Sequence, residues 1–225
     1  MGIARSVGKS VAPHVSRLAP DLTANFVHVA LMRAIRGIGK LPPAAVAAER
    51  QLLQHGSADK AIHELIENHV RYAGGQGFLT NLGGLMTAAV TIPTNITGLA
   101  LIQSRMVASI AHVRDYDLED PRVHNAILTC MLGEDGVRTL VRKGKLPAPP
   151  MAIATAPAHD PHLDRVIAAE VTSELVTRIA GKRVATTVGR RVPVFGGLLG
   201  AGADGFSTWQ VGRYADRELL PRTRR

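Results

Sequence analysis

The feature that most constrains this chain is an uncharged stretch, residues 72–104, in which none of 33 consecutive positions is Asp, Glu, Lys or Arg. A helix of about 20 apolar residues is long enough to span a bilayer. This stretch, however, contains a central proline, six glycines and several Asn, Thr and Gln side chains. Polar groups in hydrocarbon each need a partner, so the pattern favours helices buried in protein or lying at a membrane surface over a membrane span.

Pro93 divides the uncharged stretch, and the pattern around it predicts two helices over residues 72–113. Proline has no backbone N–H to donate and disfavours helical backbone in the residue before it. We therefore expect the two helices to meet near Pro93. The second helix continues beyond the stretch, because apolar residues recur at helical spacing from Leu99 to Val113.

The composition indicates helices in the rest of the chain as well. Hydrophobic residues make up 46% of the 225 residues, but aromatic residues only 4%. β-Sandwiches use aromatic and β-branched residues in alternating runs, whereas the apolar spacing here is mostly three and four. We predict an all-α protein, a compact helical bundle with a central pair of glycine-rich helices. Residues 1–56 are expected to form a basic N-terminal helical arm, residues 57–215 the helical domain and residues 216–225 a basic tail.

Two Asp-Pro pairs mark predicted helix starts. Asp120 and Asp160 can each accept a hydrogen bond from a free backbone N–H, and the proline that follows suits the first helical position. Opposite charges near such a cap usually stabilise helix ends and loops. We therefore predict a structural polar cluster, not an active site, at the turn before the first of these helices. Its members are Arg105, Asp117, Asp120 and Arg122.

The sequence contains no recognisable catalytic or metal-binding motif. A Gly-x-Ser-x-Gly elbow, a phosphate-binding loop and a His-Glu-x-x-His helix are all missing. Four neighbouring residues have side chains suited to metals, namely His159, Asp160, His162 and Asp164. Asp160 is already needed as a cap, however, and no distant Cys or His motif completes a shell. We predict no catalytic residue, metal or cofactor, and an enzyme built from dispersed residues stays an alternative.

Charge and cysteine content bear on location and partner. Cys130 is the single cysteine and lies in an apolar run, which fits a reducing compartment. The first 20 residues lack the apolar run of a secretory signal, so we expect a cytoplasmic protein. The formal net charge of +9 suggests an anionic partner, either nucleic acid, acidic lipid or an acidic protein, although basic background composition gives the same excess.

The last third of the chain turns basic and then apolar. Residues 192–203 carry no charge, and the small residues over positions 196–205 predict close contact with another helix, with the segment around Gly83 and Gly84 as the expected partner. At a membrane surface the basic residues would meet lipid headgroups and the apolar residues would meet acyl chains. We predict headgroup contacts from Arg183, Arg190 and Arg191, and acyl contacts from Val194, Phe195, Leu198 and Leu199.

Two blocks of residues carry a resemblance to a known family. The first comprises Gly77-Phe78, Leu82-Gly83-Gly84-Leu85, Ile92-Pro93, Leu101-Ile102-Gln103 with Arg105, Ile110-Ala111, and Tyr116-Asp117-Leu118 with Asp120-Pro121-Arg122-Val123. The second comprises Arg191-Val192-Pro193-Val194-Phe195-Gly196-Gly197, Gly200, Asp204, Phe206 and Val211-Gly212-Arg213. Over about residues 57–215 the chain resembles the EcsC family, except that Asn95 stands where members often carry an acid. The resemblance implies a bacterial, mainly helical protein with no established reaction, in a family named for its genetic association with an ABC transporter.

These observations favour a non-enzymatic helical protein associated with lipid at the inner face of the cell membrane. The uncharged glycine-rich segments would supply insertion, and the basic residues would supply attraction to anionic lipid. The alternative is a soluble interaction or scaffold protein in which the same segments form the crowded centre of a bundle. A nucleic-acid binder comes third, because aromatic residues for base stacking are sparse.

Overall fold

The computed structural model describes the backbone of residues 20–39, 41–82, 88–188 and 193–222, and the side chains of residues 26–39, 41–75, 97–178 and 202–222. In these ranges the chain forms nine helices, with one isolated β-bridge between Ile38 and Leu41 and no named strand. The predicted all-α bundle is confirmed. The helices are α1 Pro20–Arg36, α2 Ala44–His55, α3 Ala58–Leu82, α4 Ala88–Val113, α5 Pro121–Met131, α6 Gly133–Arg142, α7 Pro150–Ala154, α8 Pro161–Val188 and α9 Pro193–Glu218.

Residues 26–55, part of the predicted N-terminal arm, contribute buried side chains to the same core as the domain. Val27 and Leu31 of α1 and Ala48 of α2 are each fully buried in it. The loop between these helices is tight, because Gly37 has a φ of 83° and a Cβ there would lie 2.6 Å from the carbonyl oxygen of Leu41. The described part of the arm is therefore packed into the bundle.

The start of the predicted basic tail is also packed. Leu219 is buried, and the Tyr116 hydroxyl donates to the carbonyl of Leu220 over 3.0 Å. The Arg222 N–H donates to the Arg114 carbonyl over 3.0 Å. The last turn of α9 and the residues after it are thus held against the end of α4.

The uncharged stretch forms parts of two helices, but Pro93 does not separate them. α3 ends at Leu82, α4 begins at Ala88, and Pro93 lies in the second turn of α4. The prediction that the helices meet near Pro93 is therefore wrong. A proline at this point removes one backbone hydrogen bond, to the carbonyl four residues before, while the long buried face of α4 from Leu99 onwards stabilises the helix through packing.

Three helices, α3, α4 and α9, cross at close range in the centre of the bundle. A Cβ on Gly212 of α9 would lie 2.9 Å from Ile66 Cγ1 of α3 and 3.0 Å from Met106 Sδ of α4. A Cβ on Gly205 would lie 3.6 Å from Val70. Gly205 belongs to the small-residue face predicted over positions 196–205. The rest of that face has no described side chains apart from residues 202–204, and Gly83 and Gly84, its predicted partner, lie outside the described residues.

The same contacts show that α3 and α9 run antiparallel, since the later residue of α9 meets the earlier residue of α3. α3 continues for twelve residues beyond Val70, and α9 begins twelve residues before Gly205. At a rise of 1.5 Å per residue, each helix extends about 18 Å past this crossing in the same direction. The C-terminal end of α3 and the N-terminal end of α9 therefore lie at one end of the bundle, which we call the hairpin end.

Candidate functional site

The turn between α4 and α5 contains three members of the predicted polar cluster. Asp120 caps α5, because its Oδ1 accepts from the Arg122 N–H over 2.8 Å, and Pro121 takes the first helical position as predicted. The Arg122 guanidinium also reaches Asp120 Oδ2 at 2.6 Å and donates to the Ala156 carbonyl over 2.5 Å. Asp117 accepts from the Glu119 N–H over 2.9 Å. These contacts join the α4–α5 turn to the segment after α7.

Removing the Asp120 carboxylate should destabilise this turn. We expect Asp120→Ala to lower the free energy of unfolding by about 1 kcal/mol, because a backbone N–H of α5 loses its cap. Hydrogen bonding by Arg122 lowers the pKa of Asp120 in the folded protein. The stabilisation that the Asp120 carboxylate provides is therefore fully present above its pKa in the unfolded chain, and it is lost as the pH falls through its pKa in the folded protein. Urea unfolding should show the difference at pH 7 and a smaller one below about pH 4. Equal stabilities at pH 7 would contradict the capping role.

A second polar cluster surrounds Asp164 at the start of α8. Asp164 Oδ1 accepts from Asn125 Nδ2 over 2.7 Å and lies 2.8 Å from His159 Nε2. Burial lowers the pKa of His28, and the charge of Asp164 partly opposes that shift, with a smaller lowering contribution from His124. The cluster joins α1, α5 and α8. In the described ranges no group of three or more His, Cys, Asp or Glu side chains is placed to hold a metal ion.

Arg105 is not part of the α4–α5 turn, contrary to the prediction. It lies eight residues, about 12 Å, before the end of α4 and is only 6% exposed. Its Nη1 donates to the Pro42 carbonyl in the α1–α2 loop. Burial lowers the pKa of Arg105, and the nearby Tyr72 phenol partly opposes that shift. The distance along α4 explains the error, because closeness in sequence did not bring Arg105 to the turn.

His69 of α3 lies near Arg105 and has one ring nitrogen without a partner. Its Nδ1 lies 2.6 Å from the Leu65 carbonyl oxygen, while Nε2 is buried and makes no hydrogen bond. Burial, and to a smaller extent the Arg105 charge, lowers the pKa of His69 to about 4. The exposed Tyr72 ring packs edge-on against the imidazole, with centroids 5.9 Å apart. No sequence signal links His69 with Arg105, because the two residues lie on different helices, 36 positions apart.

Arg178 of α8 lies at the junction of three helices. Its Nη2 donates to the carbonyls of Met131 and Leu132, over 3.1 and 3.3 Å, at the end of α5. Its Nη1 donates to Ser207 Oγ of α9 over 3.2 Å, and Nε donates to Glu174 over 2.9 Å. Each of these contacts is internal to the bundle, so the arrangement is that of a structural clamp.

Three aromatic side chains close to the level of the Val70–Gly205 crossing, about 15–24 Å along the helices from the hairpin end, face solvent. Phe206 and Trp209 of α9 are 58% and 43% exposed, and their rings stack with centroids 6.0 Å apart at 18°. Tyr72 of α3 is 64% exposed. We call these three residues the aromatic rim. The sequence held a signal for the pair, since Phe206 and Trp209 are three positions apart just after the uncharged residues 192–203.

The opposite end of the bundle carries a groove with acidic walls. It has a volume of about 570 Å³ and lies between the end of α1, the start of α2 and the turn at residues 115–119. Asp115, Asp117 and Glu119 are among its lining residues, and Arg36 lies 3.9 Å from Glu119. This excess of acids makes the groove an unfavourable surface for anionic lipid.

The residues predicted to contact lipid have no described side chains. Arg183 lies in α8, and Val194, Phe195, Leu198 and Leu199 lie in α9. Arg190 and Arg191 fall outside the described residues. Among the residues that the structure does describe, no helix combines the length and the hydropathy needed to cross a membrane.

The described fold and polar clusters define an all-helical bundle, most of whose polar groups pair within the chain. Comparisons with protein-family models, curated proteins and solved structures find no match for this chain. The resemblance to the EcsC family therefore stays a prediction, and any function must be argued from the chain's own residues.

Proposed function

We propose that this protein is a non-enzymatic peripheral membrane protein that binds anionic lipid through its hairpin end. The observation that carries the proposal is the stacked, exposed pair of Phe206 and Trp209, with Tyr72 on the neighbouring helix. Aromatic side chains are enriched where a membrane protein passes from water to hydrocarbon, because one part of the ring system is apolar and another is polar. An exposed apolar cluster on a surface is also a common mark of an interaction site.

The position of the rim along the bundle supports this role. Tyr72 begins the uncharged residues 72–104, and Phe206 and Trp209 follow the uncharged residues 192–203. From the Gly205–Val70 crossing, the three aromatic residues fall within about 10 Å of one another along the helix axes. Beyond Tyr72 on α3 and Asp204 on α9, toward the hairpin end, neither helix carries a charged residue, and on the other side charged residues resume. An interfacial segment has this order of apolar, aromatic and charged residues.

Basic side chains near the same level supply attraction to anionic headgroups. Arg71 is exposed beside Tyr72, and Arg213 follows Trp209 by one turn. The proposal keeps Arg183, Arg190 and Arg191 as headgroup contacts, since each Lys or Arg near such a surface contributes about 1 kcal/mol. Val194, Phe195, Leu198 and Leu199 remain the proposed acyl contacts. The acidic groove at the other end of the bundle favours an orientation with the hairpin end toward the lipid, and the cytoplasmic leaflet is the anionic surface proposed.

Vesicle flotation tests the proposal through the rim. We expect the wild type to float with vesicles that contain phosphatidylglycerol and not with pure phosphatidylcholine. The double variant Phe206→Ser and Trp209→Ser should bind at least about tenfold more weakly, since each buried aromatic ring contributes roughly 1.5–3 kcal/mol. Leu53→Ser is the matched control, because Leu53 is 87% exposed on α2, away from the hairpin end, and its loss should leave binding unchanged.

Two results would contradict the membrane proposal. The first is no flotation of the wild type with anionic vesicles at low salt. The second is equal binding by the rim variant and the Leu53→Ser control, which would place the contact elsewhere. If the wild type does not bind vesicles but forms a complex with a second protein that depends on the aromatic rim, the interaction or scaffold alternative is supported instead.

A further inference from the structure

Among the described residues, Arg105 is a buried cation without a carboxylate partner. Within the described part of the chain its guanidinium reaches one acceptor, the Pro42 carbonyl, and forms no ion pair. Arg114, by contrast, lies 3.0 Å from Asp216 and 3.3 Å from Asp59. A buried charge is costly unless it is paired, so the Arg105 site is one in which an anion would be stabilised.

The chain has no other acid to place there. All but one of its 18 acidic side chains lie in the described ranges, and the exception is Asp21 near the start of α1. Asp21 precedes Arg36 by fifteen residues, or about 22 Å along the helix. The opposite end of α1 leads into Gly37, whose Cβ position lies 3.0 Å from the carbonyl carbon of Pro42. Asp21 is therefore far from Arg105, so an anion paired with this guanidinium would come from outside the chain.

His69 adds a second unmet group beside the first. A carbonyl oxygen only accepts hydrogen bonds, so the contact with Leu65 places the imidazole proton on Nδ1. Nε2 is then a buried acceptor without a donor. The ligand that satisfies both groups must accept hydrogen bonds from Arg105 and donate one to His69.

We propose that Arg105 and His69 form a binding site for a phosphate monoester. The planar guanidinium fork matches two phosphate oxygens, and the remaining P–O–H group donates to His69 Nε2. A phosphate monoester has a second pKa of about 6, so its monoanion, which keeps one P–O–H, is the form that binds. A carboxylate or a phosphodiester loses its proton well below neutral pH, so neither satisfies His69. Tyr72, in contact with the His69 ring and exposed, marks the surface nearest to the site. The group is either a free phosphate compound or a lipid headgroup such as that of phosphatidic acid.

Titration with inorganic phosphate, which keeps at least one P–O–H group at pH 7, tests the site directly. The readout is the His69 ring signals in a proton–nitrogen spectrum at pH 7 and constant ionic strength, assigned with His69→Gln. We expect saturable shifts with phosphate and at least tenfold weaker binding of sulfate, which lacks the proton. Arg105→Met should weaken phosphate binding at least tenfold. Arg138→Met is the charge-matched control, since Arg138 is 61% exposed and pairs with Glu134, and it should bind like the wild type.

Thermal unfolding separates this role from a purely structural one. Without phosphate, Arg105→Met should melt at or above the wild-type temperature, because an unpaired buried charge has been removed, and phosphate should raise only the wild-type value. A structural role predicts a lower melting temperature for Arg105→Met and the same phosphate response in both proteins, which would overturn the proposal. If Arg105→Met does not fold, the comparison of phosphate with sulfate in the wild type decides alone: equal responses overturn the site.

Vesicles distinguish the two sources of the phosphate group. For a lipid headgroup, the wild type should prefer phosphatidic acid over phosphatidylglycerol vesicles, and Arg105→Met should lose that preference while still binding both. For a free compound, the inorganic phosphate shifts appear without any such preference. Both outcomes support the site. Absence of any His69 response to phosphate and to phosphatidic acid vesicles overturns it, whether or not the protein binds membranes through the aromatic rim.

Discussion

Gly212→Leu is expected to lower the free energy of unfolding by about 3 kcal/mol, the upper range for overpacking a core. The first added carbon alone would lie 2.9 Å from Ile66 Cγ1 and 3.0 Å from Met106 Sδ, closer than van der Waals contact. Both neighbours are fully buried, so neither has free space to occupy. The helices α3, α4 and α9 would have to move apart, and their shared core would lose contacts. Denaturation by guanidinium chloride measures the change.

Gly202→Leu is the control on the same helix. Gly202 is exposed, and a Cβ there meets no atom within 4 Å. Leucine has a higher helix propensity than glycine, so this variant should be as stable as the wild type or more stable by up to about 1 kcal/mol. Two variants of α9 with the same added side chain should thus differ in sign. A Gly212→Leu protein with wild-type stability would show that the three helices do not approach as closely as described.

Arg178→Met should cost about 3 kcal/mol, the second large effect. The arginine holds the end of α5, the glutamate on its own helix and Ser207 of α9. Hydrogen bonds to charged groups each contribute roughly 1.5–3 kcal/mol, and the carbonyls of Met131 and Leu132 would lose a positive partner at a helix C-terminus. Methionine keeps most of the apolar stem, so the loss is mainly one of charge and hydrogen bonding. Urea unfolding and the melting temperature both report it.

Arg138→Met provides the comparison, because Arg138 also pairs with a glutamate four residues earlier. The two pairs differ in surroundings, since Arg138 is a surface side chain bonded to Glu134 over 2.7 Å. An exposed pair of this kind contributes about 0.5 kcal/mol or less. The Arg178 variant should therefore lose several times more stability than the Arg138 variant. Equal losses would mean that only the Glu174 pair matters and that Arg178 does not clamp α5 and α9.

The aromatic rim and the Arg105–His69 site are neighbours, since Tyr72 contacts the His69 ring at the level of the Val70–Gly205 crossing. The acidic groove lies at the end of the bundle opposite the hairpin end. The rim and phosphate proposals make separate predictions. The rim would bind by burying exposed aromatic surface in lipid, whereas Arg105 would bind a phosphate group through a specific pattern of hydrogen bonds. Variants at Phe206 and Trp209 should change vesicle binding without changing the response of His69 to inorganic phosphate.

Local signals in the sequence predicted the helix starts well. Asp120 accepts from the Arg122 N–H as a cap, and Asp160 Oδ1 accepts from the His162 N–H over 2.9 Å. A cap involves residues only two or three positions apart, so it can be predicted from the local sequence. The all-α class followed in the same way from the three- and four-residue spacing of apolar side chains.

Features that depend on packing between helices were not predictable from the sequence. Pro93 has a strong local tendency to end a helix, yet α4 continues through it because a long apolar face is buried beyond it. Gly212 resembled any other glycine, and only the approach of Ile66 and Met106 shows why no side chain fits there.

The polar sites show the same division between sequence and tertiary structure. Helical segments, their caps and the shortage of charge in two segments can be read from neighbouring residues, because each depends on positions within about one helical turn. That Arg105 lies with His69 and the Pro42 carbonyl, rather than with Asp117 and Asp120, follows from the packing of helices against one another. The reason is physical: whether a charge finds a partner depends on distance in space, and in a helix bundle the nearest groups come from other helices.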